Sequence, residues 1–420
     1  MNGREQANRW RGPYLTIWVG QACSLVGSRL ATFALVWWLT STTGSATVLA
    51  SATLAALLPE ILLGPFVGAL VDRWNRRQVM LAADGLVALV ALGAAWLFWS
   101  GRIQPWHIYV VSLARSVGSA FHWPAMQAST SLLVPREHLA RVAGLGQMLD
   151  GALQVFAPPL GALLLAMWPV EAILGLDVLT AAAAMVSLAS VRVPQPVRAA
   201  DASGSINPAS LWSDVRSAVG HIRAIRGLTW LLAAMALAGF FLYPASALTP
   251  LLVAGPFGGG ARELGWVESA AGIGLLSGGL LLSLWGGFQR RMLTTVLGLV
   301  GRGLAVAAIG LLPGRAWWPL LAFQLAAGAM GPLAEGPMTT VFQSAVAPEM
   351  QGRVFMLVGS LVMAMAPLGM AVAGPVADAL GVGPWFVIGG AAYAAIGLAI
   401  ALSPAAMGVE QEMAGPRPHE

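Results

Sequence analysis

Arg192–Gly227, RVPQPVRAADASGSINPASLWSDVRSAVGHIRAIRG, is a hydrophilic run set in a chain that is otherwise apolar. Its Pro, Ser and Gly content reads as a linker over 193–210, and LWSDVRSAVGHIRAIRG as an amphipathic surface helix leading into the next apolar run. Six apolar runs precede it, at roughly 14–39, 46–70, 78–99, 106–134, 141–168 and 172–191. Six follow, at roughly 227–253, 264–286, 292–312, 317–346, 354–380 and 384–404. The 420 residues are 57% hydrophobic and 10% charged, against about 45–50% and 25% in a soluble domain, which excludes a water-soluble globule. Twelve spans of about 20 residues would use roughly 240 positions, close to what that fraction supplies. The prediction is an all-α integral membrane protein of twelve transmembrane helices in two six-helix pseudo-symmetric bundles. Residues 1–192 form the first half, 193–226 the linker, 227–404 the second half and 405–420 a tail.

The basic residues orient the spans. All 23 are Arg; 17 of them (Arg4, Arg9, Arg11, Arg73, Arg76, Arg77, Arg136, Arg141, Arg192, Arg198, Arg216, Arg223, Arg226, Arg290, Arg291, Arg353 and Arg417) fall on the amino-terminal side. Only Arg102, Arg262 and Arg315 fall on the other. The positive-inside rule makes the first side cytoplasmic, with both termini, and places the chain in the cytoplasmic (inner) membrane. Trp38, Trp99, Trp106, Trp168 and Trp317 gather near the opposite ends, as an aromatic belt should. The first run is about 26 residues long, too long for a signal peptide, so it is read as a retained span. Arg29, Arg115 and Arg302 remain inside spans.

Sliding the chain on itself supports duplication. At an offset of 213, Gly118 meets Gly331, Pro124 meets Pro337, Ser131 meets Ser344 and Pro135 meets Pro348. The same offset brings Glu335 onto His122 and suggests two titratable groups facing each other across a pseudo-twofold axis. Parallel repeats with a solute site near the midplane are a transporter architecture.

The loop after the second run reads GALVDRWNRR, Gly68 to Arg77. Its arginines suit a simple cytoplasmic stop signal. The spacing also suits a conformational latch: Gly68 allows close helix approach, and Asp72 stands beside Arg73, Arg76 and Arg77. Gly, an Asp-Arg pair and a basic pair in this loop resemble the signature of the major facilitator superfamily. The equivalent loop, WGGFQRR, keeps Arg290 and Arg291 but has Gly286 where the acid would stand.

Charged residues inside spans are costly, about 2.5–3.5 kcal/mol for an Arg at mid-helix, and so point to function or to internal pairing. ARSVGSAFHWPA in the fourth run carries Arg115 and, seven residues on and on the same face, His122. The acids noted inside spans are Glu60, Asp84, Asp150, Asp177 and Glu335. At 1.5 Å per residue, Arg29 and Arg115 sit about 14–15 Å from their outer helix ends and Glu60 about 21 Å in, so a cluster of the three is geometrically possible. Asp84 and Asp150 lie nearer the cytoplasmic ends, where they would brace a gate, and Asp177 is shallow. Glu335 either couples protons or forms a static bridge to Arg302. Tyr243, beside Pro244, falls at the repeat equivalent of Arg29 and either lines the solute cavity or packs beside a kink.

No Gly-rich phosphate loop, no metal-ligand cluster and no basic-aromatic stripe is present, so nucleotide hydrolysis, a metal site and nucleic-acid binding are not expected. Within the superfamily, the stretch Arg115–Arg192 resembles twelve-span drug:proton antiporters of the macrolide-efflux type, and APPLGA at 157–162 resembles a loose antiporter signature. The resemblance implies a non-enzymatic exporter of a bulky hydrophobic compound, without cofactor, driven by the proton gradient and working as a monomer in the bilayer. It implies proton coupling through Arg115, with Glu335, Glu60, His122 and Asp150 as further candidates, and a cavity drawn from Arg29, Arg115, His122, Tyr243 and Glu335. An anionic, siderophore-like substrate is the alternative if Arg29 and Arg115 stay unneutralised; a non-transporting sensor on the same fold is a third.

Overall fold

A computed structural model describes residues 10–193, 226–346 and 348–409, together with Arg216 and Gly220. Among the described residues there are twelve long helices and no strand. In chain order they are α1 (Arg11–Thr43), α2 (Ala46–Arg73), α3 (Arg76–Trp99), α4 (Pro105–Leu133), α5 (Leu139–Met167) and α6 (Val170–Ser190), then α7 (Arg226–Ala247), α8 (Ala261–Trp285), α9 (Arg291–Leu311), α10 (Trp317–Ala345), α11 (Pro348–Leu380) and α12 (Val382–Leu402). Ten are long and apolar enough to cross a membrane; α4 and α10, which hold Arg115, His122 and Glu335, are not among these. The seventh apolar run, expected over 227–253, is broken. Pro250 opens a separate short helix, Thr249–Ala254, because proline has no amide hydrogen to continue the first.

Local chemistry sets several ends. Gly44 closes α1 in the left-handed conformation (φ 60°), its N–H bonded to the Thr40 carbonyl. The Asn75 side chain caps α3 by accepting from the Gln78 amide at 3.3 Å. At the start of α4, Gln104 and His107 form a reciprocal capping box. Gly286 and Gly287 end α8 with φ of 77° and 80°. A side chain is strained there, which is a backbone reason for glycine where an acid would complete a second latch.

The chain divides into two compact units. The first holds α1, α2 from Ser51, α3 to α6 and Gly260–Gly265; the second holds Ser45–Ala50, α7 and the chain from Trp266. In the first, α6 packs on α1 and α3, α3 on α4, and α1 on α5; in the second, α12 packs on α7 and α9, α9 on α10, and α7 on α11. The two pairing schemes coincide when six is added to each helix number, as a duplicated chain requires. In the second unit α9 and α12 approach through Gly303 and Gly390, with no side chain between the backbones. There too the first turn of α2 is capped by Asp378 of α11, which accepts from the Ala46 amide at 2.6 Å, the Thr47 amide at 3.0 Å and the Ser45 hydroxyl at 2.9 Å. Large apolar side chains such as Leu89, Leu179, Leu284 and Leu402 point outward, as a lipid-facing surface demands. The amphipathic helix expected within 193–226 lies outside the described residues apart from Arg216, Gly220 and Arg226, as do the tail beyond 409 and the side chain of Asp72.

Candidate functional site

Each unit carries an ion pair at mid-helix, formed within the unit itself. In the first, the Arg115 guanidinium donates through Nη1 to Asp177 Oδ2 at 2.5 Å and through Nη2 to the Ser28 carbonyl at 3.2 Å. The Ser28 hydroxyl donates to Asp177 Oδ1 at 3.0 Å. Three helices, α1, α4 and α6, therefore meet on one buried carboxylate, 0% exposed. Gly27 makes the approach possible: a Cβ there would lie 2.1 Å from Thr180 Oγ1 and 3.2 Å from Asp177 Cα. The expected cluster of Arg29, Arg115 and Glu60 is replaced by this one. Arg29 and Glu60 are exposed, and Arg115 takes its acid from α6. Asp177 was judged by its depth along its own helix, about 10 Å from the Val170 end, but partners are chosen by packing between helices.

Two turns further along α4, His122 Nε2 stands 3.4 Å from Asp84 Oδ1, and Gln21 of α1 donates to Asp84 Oδ2 at 3.0 Å. Asp84 was expected to brace a gate; the structure joins it to His122. At the start of α3, Arg76 Nη1 donates to the Ala128 carbonyl of α4 at 2.8 Å. Arg77 donates through Nε to the Leu188 carbonyl of α6 at 3.2 Å and through Nη2 to Ala189. The basic pair of GALVDRWNRR thus ties α3 to the closing turns of α4 and α6, satisfying carbonyls and matching the negative end of each helix dipole. A bare stop signal needs neither contact.

In the second unit a cavity of about 260 Å³ lies among α7, α9, α10, α11 and α12. Its polar lining is Tyr243, Ser246, Arg302, Glu335, Thr339 and Tyr393; Met235, Leu242, Leu299 and Met338 supply apolar walls. Arg302 Nη1 donates to Glu335 Oε1 at 3.0 Å and its guanidinium lies 5.9 Å from the Tyr393 ring. The side chain of Glu335 is 70% exposed and that of Arg302 20%, so the acid is the accessible member of the pair. Of the residues expected to line the cavity, Tyr243 and Glu335 do; Arg115 and His122 are engaged in the first unit by Asp177 and Asp84. The static bridge weighed for Glu335 is present, and it is also part of the cavity wall. Asp150 is half-buried, with no ion pair or hydrogen bond among the described residues. Glu268, on α8 and about 10 Å from the Ala261 end, is a further acid without such a partner. Reading the acids in spans overlooked it, although it lies inside the run 264–286. Tyr393 was overlooked as well; only its packing against Arg302 gives it a role.

Twelve helices in two units with one shared pairing scheme, mid-helix ionic groups and an amphipathic cavity define a multi-pass membrane transporter of duplicated six-helix architecture. The chain belongs to the Major Facilitator Superfamily, whose family model matches residues 17–370. It is similar to macrolide efflux protein A of Streptococcus pyogenes, with 35% identity over 92% of this chain and 94% of that one. The macrolide efflux protein A of Enterococcus faecalis is 34% identical over 78% of this chain and 100% of its own length. In fold it is similar to the crystal structure of a variant of the nucleoside transporter NupG, with a TM-score of 0.71 at 12% identity, covering 92% of this chain and 97% of that one.

Proposed function

We propose that this protein is a proton-coupled exporter of bulky, hydrophobic, macrolide-like drugs that works by alternating access. The observation that carries the reading is the cavity of the second unit, apolar on most walls, with one accessible carboxylate, Glu335, backed by Arg302. Such a wall suits a protonated amine and one apolar face of a hydrophobic molecule. The apolar surface holds the body and the carboxylate fixes the charge. An anionic siderophore-like substrate is less well served. Of the two arginines that would favour an anion, Arg115 is neutralised by Asp177 and Arg29 is exposed and does not line the cavity, where Arg302 is paired with Glu335.

The energy source in this reading is the proton gradient, with no bound cofactor. Arg115, Glu335, Glu60, His122 and Asp150 are the candidate coupling set, and Gly68, Asp72, Arg73, Arg76 and Arg77 the latch. The two halves, 1–192 and 227–404, are joined by the linker 193–226, and their movement exposes the substrate to each side in turn. The protein is placed in the cytoplasmic membrane with both termini inside, as a monomer. Cells expressing it should accumulate less radiolabelled erythromycin than cells with empty vector, and a protonophore should abolish the difference. Equal accumulation in both cell lines would refute the reading.

A further inference from the structure

His122 and Glu335 occupy the same position in the two repeats, and the structure gives each a partner of opposite charge from the equivalent helix. His122 of α4 faces Asp84 of α3, and Glu335 of α10 faces Arg302 of α9. The polarity is inverted between the units. In the second, the acid is exposed to the cavity while its partner is an arginine, which stays charged at any physiological pH. In the first, neither partner is an arginine, both side chains are mostly buried at 19% and 11% exposure, and Asp84 is steadied by Gln21. His122 Nε2 is buried and makes no hydrogen bond, although it stands within ion-pair distance of Asp84. That nitrogen is placed to receive a proton.

The pair is built in by packing. Gly118, one turn before His122, would place a Cβ 2.9 Å from Val87 and 3.3 Å from the Ala83 carbonyl, so α3 and α4 close together where Asp84 must reach across. Other charged groups on the packed helices are committed or turned away. Arg115 and Asp177 bind each other, Arg76 and Arg77 reach carbonyls of α4 and α6, and Arg29 is exposed. Among the described residues Asp84 is the one acid at ion-pair distance from His122.

We propose that His122, held against Asp84, is the proton-carrying group of this transporter, while Glu335 with Arg302 serves the substrate. One proton binds the lone pair of Nε2, is held by the Asp84 carboxylate, and leaves from the same nitrogen; no other bond is made or broken. An imidazole gains and loses a single proton in place, which is what a group loaded on one side of the membrane and emptied on the other must do. This rests on the proton-driven export reading.

The test uses the full chain in liposomes with radiolabelled erythromycin, comparing uphill accumulation under an imposed pH gradient with counterflow in its absence. His122→Gln keeps a polar side chain beside Asp84 but takes up no proton. Its counterflow should stay within about twofold of wild type, its gradient-driven accumulation should fall about tenfold or more, and its rate should lose the pH dependence of wild type. Asp84→Asn should likewise lower gradient-driven accumulation, since it removes the carboxylate that holds the proton. Gradient-driven accumulation by His122→Gln equal to wild type, with the same pH profile, would overturn the proposal. So would loss of counterflow in both His122→Gln and His122→Asn, which would make the residue a structural prop. If wild type shows counterflow but no response to the gradient, proton coupling itself fails, and the assignment of His122 falls with it.

Discussion

Replacing Arg115 by methionine keeps the volume of the side chain and removes its charge. Asp177, fully buried, is then left with the Ser28 hydroxyl as its single donor. Breaking a buried pair from one side costs about 3–5 kcal/mol because the remaining charge is uncompensated. A single hydrogen bond to a charged group contributes about 1.5–3 kcal/mol. The two scales predict a clear order. Arg115→Met should be severely destabilising, Ser28→Ala should cost less, about 1.5–3 kcal/mol, and Arg115→Met/Asp177→Leu should recover most of the loss by removing both charges together. Thermal unfolding of the purified protein in detergent, followed by tryptophan fluorescence, reads the order directly. If Arg115→Met unfolds at the same temperature as Ser28→Ala, or the double variant is worse than Arg115→Met, the pair is not the buried electrostatic unit argued here.

Three further outcomes follow from the geometry. Arg77→Ala should release the last carbonyls of α6, lowering the unfolding temperature by the equivalent of about 1 kcal/mol, whereas Arg77→Lys, with no planar fork, should restore only part of it; the same thermal assay checks this. Asp378→Ala removes three hydrogen bonds at the start of α2 and should cost about 0.5–2 kcal/mol, with Asp378→Asn intermediate because its amide oxygen still accepts; full stability in Asp378→Ala would remove the cap from the account. Gly27→Val drives side-chain atoms into Thr180 and Asp177 and should cost more than the 1–3 kcal/mol of ordinary overpacking, since backbone would have to move; a monodisperse protein of normal thermal stability would count against the close approach of α1 and α6.

The helices were legible because the physics is one-dimensional: a segment that crosses hydrocarbon must be apolar for about 20 residues and end in charges or turn residues. The exception, the break after Ala247, lay in Pro250, whose missing amide matters only once the chain is already helical. The duplication was visible through Gly118, Pro124 and their counterparts, and the shared helix pairing supports it. Ion pairing was not legible to the same degree. Arg115 has acids above, below and beside it in sequence, and the choice of Asp177 depends on Gly27 letting α1 and α6 close around it. The same holds for Asp84, which reaches His122 because Gly118 lets α3 and α4 approach. Arg302 with Glu335 was anticipated because the two lie on consecutive spans, whereas Tyr393 enters through a contact between α9 and α12 that no local pattern announces.

The central claim, that drug movement is driven by protons, is tested most directly in inside-out membrane vesicles. Radiolabelled erythromycin and internal pH are followed together after respiration has acidified the interior. Vesicles containing the protein should accumulate erythromycin while internal protons leak out faster on its addition, and a protonophore should stop both. Erythromycin accumulation that persists undiminished with the protonophore present, or an internal pH that ignores its addition, would contradict the account.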